Sequence, residues 1–179
     1  MRLASKTYDL PDVWAAQELF HANGWTDGLP IVPPTRDAVA ECLEIAVTDP
    51  AQLVGVEPVR AVAVTAEKLA INAVMAGCLP THFPVVLACF AALLRPEFLL
   101  HGATASTGGC AVLVVLNGPV RRELDASGGF NALGNSGRAT AVIGRAIRLA
   151  LTEAGRAGSG GSPGLRGDCL IDHLCEQRL

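Results

Sequence analysis

One stretch constrains this chain more than any other: Cys110-Ala111-Val112-Leu113-Val114-Val115-Leu116, seven apolar residues in a row. Valine favours extended backbone. A run that is apolar at every position, rather than every second one, fits a strand covered on both faces. The run is sharply bounded. Small residues fill 101–109 before it, and Asn117-Gly118-Pro119 breaks it afterwards. The expectation is a buried central strand in a layered sheet.

Helical spacing surrounds that strand. Asp9 and Pro11 are placed to open a helix carrying Val13, Ala16, Leu19 and Phe20, which Asn23-Gly24 stops. Trp25-Thr26-Asp27-Gly28-Leu29-Pro30-Ile31-Val32-Pro33-Pro34 cannot be regular and reads as an ordered loop with an aromatic anchor. Thr35 caps a second helix with Val39, Cys42, Leu43 and Ala46 inside. Residues 49–58 read as a turn and connector, and 59–65 as a strand. A helix follows to Ala76, stopped by Gly77, and another spans 84–94. Residues 98–100 read as a short strand. The strongest helix is 138–154, with Val142, Ile143, Ala146, Ile147, Ala150 and Leu151 opposite Arg145 and Arg148.

Composition sets the class. Half of the 179 residues are hydrophobic, 17% are charged and 4% are aromatic, which excludes wholesale disorder and favours helices on a sheet over an aromatic-rich sandwich. The expected fold is a single α/β (or α+β) domain over residues 1–155. A Gly/Ser linker occupies 156–167, and a tail at 168–179 has the pattern of a short amphipathic helix. The high apolar fraction points to a homo-oligomer or a partner subunit. A net charge of −3 without a basic stripe excludes nucleic acid. No apolar segment opens the chain as a secretory signal, and the longest apolar run falls short of the ~20 residues a bilayer needs. The expectation is a soluble cytoplasmic protein whose six cysteines are reduced thiols.

Candidate chemistry gathers around two loops flanking the apolar run. In the first, 101–109, glycines let a ligand approach the backbone while Thr107 and its neighbours offer hydroxyls. Asn117, Asn131 and Asn135 add amides. Arg138 stands at the start of a helix, where free N–H groups favour an anion. These residues would position a small carboxylate- or phosphate-bearing molecule. Lys68, Cys78 or His101 would supply proton transfer or a nucleophile. Plainer readings stand beside each: tight turns with caps, a solvated first-turn lysine, a thiol acting as a small hydrophobe. Cys169, His173 and Cys175 carry metal-ligand side chains, but no second ligand pair accompanies them, so no metal is assigned. No cofactor is indicated, and G-x-S-x-G, the P-loop, H-E-x-x-H and the dinucleotide fingerprint are all missing.

Four blocks together resemble a bacterial family of largely uncharacterised proteins: Trp25-Thr26-Asp27-Gly28-Leu29-Pro30-Ile31-Val32-Pro33-Pro34-Thr35, then 67–80 with Ile71-Asn72-Ala73-Val74-Met75-Ala76-Gly77-Cys78, then 101–119, and 121–149. The resemblance covers most of residues 15–150 in order. It implies an association with thiol- or selenol-containing reductase-like proteins and brings no established reaction. It also implies a C-terminus shortened relative to that family, and hence a specialised or catalytically altered relative. Two functions remain open: a small-molecule enzyme (lyase, hydrolase or thiol-dependent transferase), or a non-catalytic binding or accessory subunit of a larger complex.

Overall fold

The computed structural model describes residues 1–57, 61–104, 111–134, 136–156 and 170–174. The elements run β1 (Thr7–Leu10), α1 (Val13–Ala22), α2 (Arg36–Ile45), β2 (Leu53–Glu57), β3 (Val62–Thr65), α3 (Ala66–Ala76), α4 (Phe83–Leu93), α5 (Leu100–Thr104), α6 (Pro119–Glu123), α7 (Arg138–Arg156) and β4 (Leu170–Leu174). They form one mixed helix-and-strand domain, as expected. The strands make two small pairs instead of one layered sheet. β1 lies parallel to β4, and β2 lies antiparallel to β3.

The centre of the molecule is a helix. Every residue of α3 except Lys68 is buried, and α2, α4 and α7 pack around it. Ala66, Ala70, Ala73 and Ala76 let those neighbours approach closely, while Leu69, Ile71, Val74 and Met75 fill the space between them. Gly77 ends the helix at φ 92°, a left-handed conformation that glycine adopts without strain. α7 buries Ile143, Ala146, Ile147, Leu149 and Ala150, close to the stripe read from its spacing. α4 is covered on one side only, because Ala88, Ala91 and Ala92 face outward.

Several elements differ from the sequence reading, each for a local reason. Asp12, not Asp9, caps α1: its carboxylate accepts from Ala15 N–H at 2.8 Å while residues 7–10 are drawn into β1. Residues 49–58 contain β2, and Gly55 within it lies against Leu94, just past the end of the neighbouring α4. Residues 98–100 form no strand, because Pro96 starts a 3-10 turn and Leu99 turns left-handed at φ 53° before α5. In the tail, residues 170–174 are extended as β4 instead of helical, held by backbone pairing to β1.

The largest correction concerns the apolar run. Residue 110 lies outside the described residues. Residues 111–116 belong to no strand pair among the described residues, so the expected buried central strand is not found there. Val112, Val114 and Leu116 pack on the core. Leu113 and Val115 point away and are each 68% exposed. The alternation is that of a one-sided strand, hidden in the sequence because both faces are written in apolar residues.

Candidate functional site

The residues proposed for catalysis fall in separate neighbourhoods. Lys68 and Cys78 stand at opposite ends of α3, roughly 15 Å apart along the axis at the helical rise. Lys68 Nζ lies 3.1 Å from Ser5 Oγ. The adjacent Glu67 carboxylate accepts from the backbone N–H groups of Ala4 and Ser5. That end of α3 thus anchors the N-terminal segment. His101 is exposed on α5 and borders an apolar groove of about 480 Å³ with Leu93, Leu94, Pro96, Leu99 and Leu100.

Cys78 has polar company of a different kind. It follows Gly77, whose carbonyl accepts two hydrogen bonds from Arg138, Nε at 3.1 Å and Nη2 at 2.9 Å. The thiol is buried and donates to Val142 carbonyl oxygen at 3.6 Å. Burial pushes it up to about 12, with Cys42 nearby adding to the rise and Arg138 opposing it. At neutral pH such a thiol is protonated and a poor nucleophile. His82 completes this junction. Its Nδ1 accepts from Leu79 N–H at 3.1 Å, which leaves the proton of the neutral ring on Nε2. Burial, then Arg138, lowers its pKa, so the ring is neutral at pH 7. A 3-10 turn at Pro80–His82 brings the imidazole back to the end of α3.

Arg138, the arginine offered for an anion, thus already serves the fold, and so do two others. Arg145 grips the 25–34 loop: Nε donates to Asp27 Oδ2 at 3.0 Å, and Nη2 to Asp27 Oδ1 at 2.9 Å and to Pro30 carbonyl at 2.8 Å. The Arg145 side chain is 21% exposed and that of Asp27 16%. The Arg145 hydrogen bond is the largest influence on Asp27 and brings its pKa down to about 2. Arg121 donates to Ala126 carbonyl at 3.1 Å. Gln17 clamps the same 25–34 loop from inside, accepting from Ile31 N–H at 2.9 Å and donating to Ile31 carbonyl at 2.6 Å. Trp25 stacks edge-on against Phe20. The loop is the ordered, aromatic-anchored brace read from its prolines.

Of the remaining candidate ligand groups, Asn117 is exposed ahead of α6, and Asn131 is exposed in a left-handed turn at φ 60°. Thr107 and Asn135 lie outside the described residues, as do Cys169 and Cys175. No hydrogen bond or ion pair among the described residues joins α5 to the start of α7. Among those residues no group of three His, Cys, Asp or Glu side chains could hold a metal. No single helix among them is long and apolar enough to cross a membrane.

What stands out is an apolar surface beside unpaired backbone. Among the described residues the N–H and C=O groups of 111–116, exposed or half-buried, make no backbone hydrogen bond. Leu113 and Val115 line this segment's outer face. Phe130 and Leu133, in the loop after α6, are 99% and 91% exposed. Scattered apolar side chains are normal on a surface, whereas natural proteins usually cover or charge exposed strand-like segments. Comparison of the chain with protein-family models, curated proteins and solved structures gives no match.

Proposed function

We propose that this chain is a non-catalytic binding or accessory subunit that contributes an apolar face to a larger protein complex. One observation carries the reading: residues 111–116 are uncharged, pack on the core with alternate side chains only, and have no backbone hydrogen-bond partner among the described residues. The state of the would-be catalytic groups supports it. Lys68, Cys78 and His101 do not converge, the Cys78 thiol is protonated and buried, and Arg138 and Arg145 serve the fold. The family resemblance, with its reductase-like associates, points to the same kind of role in the cytoplasm.

Native mass spectrometry of the chain isolated from its own cells tests this. The expected result is a complex heavier than one chain, released to the free chain by the double change Leu113→Ser and Val115→Ser without loss of circular dichroism. A free chain in both cases would overturn the proposal.

A second reading keeps the chain as an enzyme acting on a carboxylate- or phosphate-bearing molecule, through lyase, hydrolase or thiol-dependent chemistry. The specific observation in its favour is the junction of Cys78, neutral His82 and Arg138 at the end of α3. It requires a thiol that alkylates at neutral pH faster than an unfolded cysteine.

A further inference from the structure

We infer that β1 is an acceptor edge whose occupant is exchangeable: β4 fills it within one chain, and β4 of a second copy fills it in a strand-swapped dimer. The face at residues 111–116 plays no part in this.

β1 is fixed without help from β4. Just ahead of it, the Glu67 carboxylate holds the backbone N–H groups of Ala4 and Ser5. Within it, Arg36 Nη2 donates to Thr7 Oγ1 at 2.8 Å, the Tyr8 ring lies 5.9 Å from that of Trp25, and Leu10 packs on the core. Just after it, Asp12 caps α1. The acceptor therefore keeps its place when its partner leaves, and such preorganisation favours strand addition to an edge.

β4 is held by less. It runs parallel to β1 in a sheet that has no third strand among the described residues. Parallel strands ordinarily lie in larger sheets covered on both faces, whereas Asp9 of β1 is exposed and its neighbours are half-buried. The ladder is also interrupted. Tyr8 pairs with Ile171 and Asp9 with His173, so Asp172 is skipped. Between the end of α7 and β4 stand residues 157–169, with Gly158, Gly160, Gly161, Gly164 and Gly167 among them. Such a composition imposes no direction of its own on the strand that follows. Each copy carries one donor strand and one acceptor edge, so reciprocal exchange re-forms both pairings and requires no new contact.

Two reagents test the exchange: a fluorescein-labelled peptide with the sequence of residues 168–179, and the full-length double variant Ile171→Pro, His173→Pro. Both positions stand in register with β1, and proline there removes N–H groups and disfavours pairing. By fluorescence anisotropy the peptide should bind the variant at least about tenfold more tightly than the wild type, because a tail that fills β1 in about nine chains of ten lowers apparent affinity by that factor. Wild type refolded from urea at high concentration should contain a dimer by sedimentation, absent from the variant and dissolved by excess peptide. Peptide that binds neither chain, or both equally, overturns the inference. So does a wild type without a dimer, or with one that excess peptide leaves intact. Should the variant lose its helical circular dichroism, amide exchange at 171–174 of the wild type takes its place: excess peptide should abolish protection there, and unchanged protection overturns the inference. A dimer that resists peptide but separates with Leu113→Ser and Val115→Ser also overturns it, while leaving the accessory-subunit reading intact.

Discussion

Replacing Asp27 by Asn removes one charge from the brace between the 25–34 loop and α7 while keeping its shape. In the wild type the carboxylate receives two hydrogen bonds from Arg145, and its pKa falls from 3.8 to about 2. At ~1.36 kcal/mol per unit, and discounted for the solvent that screens this surface pair, that depression is worth about 1 kcal/mol of stability. Because the folded pKa lies below the unfolded one, the contribution is complete above about pH 4. It is lost as pH falls through about 2. Urea unfolding followed by circular dichroism, on wild type and Asp27→Asn, reads the difference directly. At neutral pH the variant should be about 1 kcal/mol less stable with an unchanged m-value, and the gap should close towards pH 2. A gap below about 0.5 kcal/mol, or one that ignores pH, would refute the assignment of Arg145 as the partner that matters.

Other consequences are simpler to check. Cys78 should alkylate at neutral pH more than about tenfold slower in the folded chain than in urea, its rate still climbing above pH 10, since burial holds the thiol at about 12. A fast reaction at neutral pH would revive the enzymatic reading. Gln17→Leu should cost about 1–3 kcal/mol in thermal or urea unfolding, because it strands both backbone groups of buried Ile31. Gly77→Ala should destabilise by about 1–2 kcal/mol in the same assay, from the left-handed φ at the end of α3.

Features that depend on neighbours in sequence were legible; those that depend on distant ones were not. Thr35 could be read as a cap because its partner, Ala38 N–H, is three residues away. The stripe of α7 was legible for the same reason, since helical spacing repeats locally. By contrast, Arg138 reaches a carbonyl 61 residues away and Arg145 a carboxylate 118 residues away. The sequence offered the guanidinium groups but not their partners, so Arg138 read as ligand-binding. Cys78 followed a helix stop and looked accessible, yet Val142 of α7 covers it. β4 lacked any local signal for its parallel pairing with β1, at the other end of the chain. The run at 110–116 misled for a different reason. Hydropathy records which side chains avoid water, and a surface kept for another polypeptide is written with the same residues as a core.

Amide hydrogen exchange over residues 112–116 of the dilute, isolated chain tests the central claim most directly. With no hydrogen-bonded neighbour among the described residues, those amides should exchange nearly as fast as in an unstructured peptide, while the amides of α3 stay protected. Protection of 112–116 on the scale of α3 in the free single chain would mean that the segment is already paired within its own fold, and the account would fail.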